Sequence, residues 1–195
     1  MTPFSNPRPD QLASLVSAYP LALVISDGPE GYAVTPLPLI AIKITDGAID
    51  EFEGHFARRN RQVAMLQDDP RALLVFQGPH RYIPPGVVAD PDWAPTWNYA
   101  IAQFEVEIRF TPEQTRASVE RLMDHTGPQD WRPATHIPGR YAAMLDHIVA
   151  FRARVVRSSA KFKLGQDEQP AAFSNILDWL GDEPLADWMR GARGD

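Results

Sequence analysis

The chain has 195 residues, 44% of them hydrophobic, with 19 prolines, no cysteine and a formal net charge of −6. That length and apolar share place it with folded globular proteins and set it apart from disordered chains. The acidic balance argues against a broad nucleic-acid-binding face, and the lack of cysteine removes disulfides, thiol catalysis and cysteine-ligated metal sites.

Residues 10–19 carry Leu12, Leu15 and Val16 on one helical face and end at Pro20, which predicts a short amphipathic helix. Residues 21–26 are an apolar run of strand length, closed by the turn signal Asp27-Gly28-Pro29. Residues 32–45 read as strand, with Ile40, Ile42 and Ile44 on one face. Asp46-Gly47 then leads into residues 48–53, the pattern of a hairpin. From Gly54 the character changes: His55, Arg58, Arg59, Asn60 and Arg61 crowd together, and Val63, Met65 and Leu66 predict a helix.

Residues 71–77 are a buried-strand candidate, and Gly78-Pro79 predicts a turn after it. Four prolines between positions 84 and 95 predict loop. Residues 103–110 set Phe104, Val106, Ile108 and Phe110 against Gln103, Glu105, Glu107 and Arg109, the clearest strand in the chain. Thr111-Pro112-Glu113-Gln114 predicts a helix start with a capping box, the helix running to about His125 and stopping at Gly127-Pro128. Residues 139–146 predict helix, 148–157 strand and 174–180 helix. Strands joined by short hairpins, with helices inserted and not alternating, predict an α+β fold with a mainly antiparallel sheet. Strongly curved strands of this kind often close into a small barrel.

No apolar run approaches the ~20 residues of a membrane span, and residues 1–7 lack a charged-then-apolar signal pattern. A cytoplasmic protein away from the membrane is the expectation. The histidines show no metal-ligand spacing. There is no G-x-S-x-G, P-loop, G-x-G-x-x-G or H-E-x-x-H, so no catalytic residue is assigned.

Two strings in the middle carry the chemistry. Val75-Phe76-Gln77-Gly78-Pro79-His80-Arg81-Tyr82-Ile83 and Pro95-Thr96-Trp97-Asn98-Tyr99 mix flat rings with side chains that donate and accept hydrogen bonds, as a planar, heteroatom-rich ligand requires. The plainer readings are a strand-end turn for the first and a barrel-closing aromatic plug for the second. The segment 54–62, with its three arginines, suits a phosphate held by guanidinium forks and free N–H groups, or else a solvated basic face. Lys161-Phe162-Lys163-Leu164-Gly165-Gln166 suits an edge strand protected by lysine, or a second anion contact.

Taken in order, these strings resemble one family. Gly54-His55-Phe56-Ala57-Arg58-Arg59-Asn60-Arg61-Gln62 is similar to G-H-[LF]-A-R-x-N-P-Q, and Phe76-Gln77-Gly78-Pro79-His80-Arg81-Tyr82-Ile83 to F-x-G-P-x-x-Y-[IV]. Pro95-Thr96-Trp97-Asn98-Tyr99 matches P-T-W-N-Y, and residues 161–166 resemble K-[FW]-K-L-S-Q. These segments, in this order, characterise the PaiB family of FMN-binding negative transcriptional regulators.

The resemblance implies a split β-barrel of the pyridoxamine-phosphate-oxidase type over residues 1–170, with a C-terminal helical extension at 171–195. It also implies FMN as cofactor and a homodimer with flavin sites at the subunit interface. It makes His55, Arg58, Asn60, Gln62, Lys161, Lys163 and Gln166 candidates for the phosphate and ribityl chain. It makes Gln77, His80, Tyr82, Thr96, Trp97, Asn98 and Tyr99 candidates for the isoalloxazine ring. Regulation through DNA comes from the family alone, since no helix-turn-helix with a basic recognition helix is visible. A flavin-dependent oxidoreductase of reductase or oxidase type, and a barrel that has lost its flavin, are the alternatives.

The chain departs from the pattern at several points. Pro84-Pro85-Gly86-Val87-Val88 stands where the family reads S-P-S-W-Y, and Pro36 replaces a histidine ahead of Leu37-Pro38-Leu39. Arg61 replaces a proline, and Gly165 and Asp167 replace serine and asparagine.

Overall fold

The computed structural model describes Phe4, residues 7–128 and residues 130–193. The elements follow in the order α1 (Pro9–Ala18), β1 (Leu21–Ser26), β2 (Ala33–Pro38), β3 (Ile40–Thr45), β4 (Ala48–Ala57), α2 (Arg61–Asp68), β5 (Arg71–Ile83) and β6 (Thr96–Phe110). They continue with α3 (Thr115–Thr126), α4 (Pro133–His136), α5 (Pro138–Asp146), β7 (Ile148–Lys163), α6 (Pro170–Leu180) and α7 (Pro184–Arg193). The sheet order is β2-β1-β5-β6-β7-β4-β3, and β1–β2, β1–β5, β3–β4 and β4–β7 pair antiparallel. Among the described residues no helix is long and apolar enough to cross a membrane.

The chain forms two compact units, and β5, β6 and β7 contribute residues to both. The larger unit comprises residues 9–76 and 103–158. Alternation in β4, β5, β6 and β7 turns Phe52, Phe56, Phe76, Phe104 and Phe151 inward, all of them buried. Phe52 lies 5.3 Å from Phe76 and edge-on to Phe104 at 4.8 Å, while Phe56 packs on Phe151 at 5.0 Å. The β3–β4 hairpin turns through Asp46 and Gly47 with φ of 51° and 82°, the left-handed pair of a type I′ turn, where glycine carries no steric penalty. Gly54 lets β4 pass close to the core: a Cβ there would lie 2.4 Å from Leu39 Cδ2.

The smaller unit comprises residues 77–102 and 159–193 with the described N-terminal residues. Its core is Ile83, Phe162, Leu164, Phe173, Ile176 and Met189, all buried. Helix α7 packs through Trp188, edge-on to Phe162 at 5.7 Å, and Arg193 lies over the Phe173 ring at 3.9 Å. These contacts explain why residues 184–193 are helical: tertiary packing of an apolar face stabilises a helix that propensity alone leaves marginal.

Several local expectations change. The run at 32–45 is two strands broken at buried Leu39, whose N–H donates to the Pro20 carbonyl at 2.9 Å. Gly54 and His55 have not left the strand; they pair with Phe151 and Ala150 inside β4. Gly78-Pro79 makes no turn, and β5 runs through it. Its register with β1 ends at Phe76, so the N–H that Pro79 lacks costs no hydrogen bond to that neighbour. Residues 96–99 are already strand β6, and Lys161 and Lys163 lie on β7 beyond its register with β4, which ends at Arg154.

The capping box does not form. The Thr111 N–H donates to the Ala150 carbonyl at 2.8 Å, which holds Thr111 in strand-like pairing. Its hydroxyl is buried without a partner, a single turn of 3-10 helix follows at Pro112–Gln114, and α3 begins at Thr115.

Candidate functional site

The candidate residues fall into two groups, one in each unit. In the larger unit, Asn60 caps α2, its side-chain oxygen accepting from the Gln62 N–H at 2.9 Å. Its amide donates to Thr35 Oγ1 at 2.9 Å. The Thr35 hydroxyl in turn donates to Gln62 Oε1. Gln62 Nε2 donates to the Val24 carbonyl at 3.1 Å, Ser26 Oγ at 2.9 Å and the Ala33 carbonyl at 3.2 Å. Gln62 is fully buried. Its amide is therefore spent on tying α2 to β1 and β2, where it satisfies groups that would otherwise be buried unpaired.

Gln62→Leu is expected to lower stability by about 2–3 kcal/mol, since it strands several buried partners at once. Urea denaturation followed by circular dichroism checks this, and a loss under half a kcal/mol would contradict the clamp.

Arg58 is exposed, its Nε donating to the Asp146 carbonyl at 3.0 Å. Arg61, the residue that departs from the family proline, reaches back to the Tyr32 carbonyl at 3.0 Å. His55 lies half-buried on β4 with Nδ1 enclosed and unpartnered. Burial lowers its pKa, opposed by the Glu53 carboxylate. The unfolded chain therefore binds the proton more readily. The stability carried by neutral His55 is present above the ordinary imidazole pKa and is lost as pH falls through the lowered one.

In the smaller unit, the alternation of β5 and β6 presents His80, Tyr82, Trp97 and Tyr99 as a set of rings. His80 and Trp97 stack with centroids 6.5 Å apart and planes 28° apart, and Tyr82 tilts against Trp97 at 5.7 Å. Trp97 is 53% and Tyr82 41% exposed, so these ring faces are open. They line a cleft of about 400 Å³ with Arg81, Pro84 and Trp179. That lies within the roughly 300–1,000 Å³ of ligand pockets.

Gln77 Nε2 and the Gly78 carbonyl both sit within hydrogen-bonding range of His80 Nδ1, at 3.3 and 3.2 Å. Lys161 stands over the Tyr99 ring at 6.0 Å, and Lys163 Nζ donates to Thr96 Oγ1. Gln166 folds on its own loop, accepting from the Leu164 N–H at 2.7 Å and donating to the Phe162 carbonyl at 2.6 Å. Asn98 is buried, with Nδ2 3.6 Å from Met189 Sδ and its oxygen unpartnered.

Sequence reading missed two contributors to this cleft. Trp179 comes from α6, and Arg81 lies against it at 5.4 Å while pairing with Glu183 at 3.5 Å. Arg81 stands inside the first aromatic string but is not among the candidates drawn from it, and no local pattern marks Trp179, whose partner stands about a hundred residues away in sequence. The departure at 84–88 has a structural outcome: Pro85–Val87 is a 3-10 turn, Val88 is buried, and the Ala89 N–H donates to Asn175 Oδ1 at 3.2 Å. The loop is thus anchored on α6, and Trp93 Nε1 donates to Glu168 at 2.9 Å beyond it.

A family model described as "Putative FMN-binding domain" matches residues 1–157. The "Protease synthase and sporulation protein PAI 2" of Bacillus subtilis (strain 168) is 28% identical over 136 residues, 67% of this chain. The match spans 64% of that curated relative, less than two thirds of its length. Among solved structures, an FAD and heme binding protein from Mycobacterium smegmatis superposes with TM-score 0.60 at 16% identity, covering 89% of this chain and 79% of that one. A flavocytochrome from Azotobacter vinelandii superposes with TM-score 0.57 at 17% identity, covering 80% and 68%. The fold shared with these two is α+β, a mainly antiparallel split β-barrel with peripheral helices.

Proposed function

The chain belongs to the FMN-binding domain family whose model spans residues 1–157, and from that premise we propose that it holds FMN against the aromatic face of His80, Tyr82 and Trp97. The observation that carries this placement is the open stack of Trp97 with its two neighbours, lining a cleft of ligand size. Large ring faces left in water cost free energy, and an isoalloxazine ring laid on them removes that cost. Gln77 orients His80, and Trp179 with Arg81 walls the far side of the cleft. Lys161 and Lys163 are the cations of the same unit proposed for the phosphate, with Thr96 and Gln166 fixing Lys163 and the loop after it.

Bound FMN supplies electron and hydride transfer, while the protein supplies binding and orientation. Arg58 and His55, in the larger unit, remain separate proposals, each read in the same titration. A homodimer and a regulatory role are proposed with the fold. The regulatory role leans on the likeness to the sporulation protein, and the net charge of −6 argues against a broad DNA contact.

Trp97→Ala is expected to weaken FMN binding about tenfold or more, since aromatic stacking on a planar ring is worth roughly 1–3 kcal/mol. Titration of FMN fluorescence quenching measures this. An unchanged affinity, with the variant folded, removes the ring from this cleft.

A further inference from the structure

The larger unit holds a groove of about 410 Å³ between α1, β3 and α3. Its apolar lining includes Val16 and Ile40, both buried, and Ile44, which is 51% exposed. Its polar side comes from α3, where Arg121 and His125 stand one turn apart on the same face. Ile40 lies directly opposite Glu53 in the β3–β4 pairing, so the two project from one face of the sheet. The apolar lining therefore runs up to the Glu53–Arg121 pair.

That pair leaves one edge of the guanidinium open. Glu53 takes Nε and Nη2 of Arg121 at 2.9 and 2.6 Å, which is the side of the fork. The end of the fork, one N–H on each terminal nitrogen, is not engaged by Glu53. The Arg121 side chain is 42% exposed, whereas that of Glu53 is fully enclosed. A molecule in the groove meets the guanidinium and not the carboxylate behind it. The other polar groups of the lining are already compensated. Asp124 pairs with Arg132 at 2.6 Å. His125 Nε2 sits 3.3 Å from the Ser17 carbonyl, which can only accept, and so covers the negative end of α1.

We propose that this groove binds a small monocarboxylate with an apolar chain, of the medium-chain fatty-acid class. Its carboxylate would take the open end of the Arg121 fork, and its chain would lie along Val16, Ile40 and Ile44. Charge complementarity selects the head group, because a planar carboxylate matches a guanidinium fork with two parallel hydrogen bonds. A neutral head would leave that edge unpaired, and a cationic one would be repelled by it. The apolar lining selects the chain, since each CH₂ fully buried there raises affinity about fourfold. The volume lies within the roughly 300–1,000 Å³ of small-molecule sites.

Isothermal titration of the full chain with octanoate tests this. Octanoate is expected to bind at least about tenfold more tightly than butanoate, for the CH₂ groups it adds. It is expected to bind about tenfold more tightly than octanol, which lacks the charge-assisted hydrogen bonds. Ile44→Glu sets a like charge beside the ligand and is expected to weaken octanoate about tenfold, whereas Ile44→Lys binds it more tightly than Ile44→Glu does. Both change an exposed position, so the fold is kept. Ala13→Phe fills the groove from α1 and is expected to abolish binding. If that variant fails to fold, the two Ile44 variants decide alone.

Equal affinity for octanol and octanoate overturns the assignment, as does an octanoate affinity unmoved by Ile44→Glu. No binding at millimolar octanoate overturns it as well. Octanoate that competes with FMN in the quenching titration occupies the aromatic cleft and rejects the groove, with the FMN reading left standing.

Discussion

Arg121→Met is expected to lower the unfolding free energy by about 3–5 kcal/mol, because it leaves a carboxylate buried without its partner. Glu53 lies on β4 with its side chain fully buried. Arg121 reaches it from α3 with a two-pronged contact, Nε to Oε1 at 2.9 Å and Nη2 to Oε2 at 2.6 Å. The pairing raises the guanidinium pKa, chiefly through that hydrogen bond. An exposed ion pair would contribute little. Here one member has lost its water, so the asymmetry between making and breaking the pair is large. Adding Glu53→Gln to Arg121→Met is expected to recover part of the loss, giving a positive coupling in a double-mutant cycle. Equal stability of wild type and Arg121→Met in urea would show that Glu53 finds another partner.

Phe52→Ala is expected to cost about 3–5 kcal/mol, the range for truncating a buried ring when the cavity cannot collapse. Phe52 touches Phe76 and Phe104, and those two rings also pack edge-on at 5.7 Å, so the three form a closed set. Neighbours fixed on β5 and β6 by strand pairing cannot move in to fill the space. Phe52→Leu keeps most of the volume and is expected to cost under about 1.5 kcal/mol. Urea midpoints at unchanged slope check both; a change in slope would indicate a more open native or denatured state instead.

The elements set by local chemistry were readable along the chain. Strand β1 has the expected bounds, α1 lies within a residue of them, the Asp46-Gly47 hairpin forms, and the alternation of 103–110 turns its apolar side inward. Two of the three misreadings share one cause. Thr111, Gly78-Pro79 and Gly54-His55 each carry a strong local signal, for a cap, a turn and a helix approach. Thr111 and Gly54-His55 were overruled by backbone pairing to a strand distant in sequence, Ala150 holding Thr111 and β7 holding Gly54 and His55, whereas at Gly78-Pro79 β5 continues as strand.

The candidate site divides in the same way. The types of residue needed for a planar, phosphorylated ligand stood in the strings themselves, because aromatic rings, amides and cations declare their chemistry wherever they lie. What each residue is free to do did not. Gln62 and Asn60 read as ligand contacts and are committed to Thr35, Ser26 and two backbone carbonyls. Trp179 falls in the helix expected at 174–180 with no role assigned, and stands in the wall of the aromatic cleft.

By itself the sequence determined the fold class, the strand and helix periods, and the aromatic and basic chemistry available to a flavin. All of these depend on neighbours a few residues away. Only the tertiary structure decided which of those side chains are spent on holding the fold and which rings remain open. Those outcomes depend on partners far apart in sequence, and burial, the main driving force, is a property of the folded chain and not of any segment.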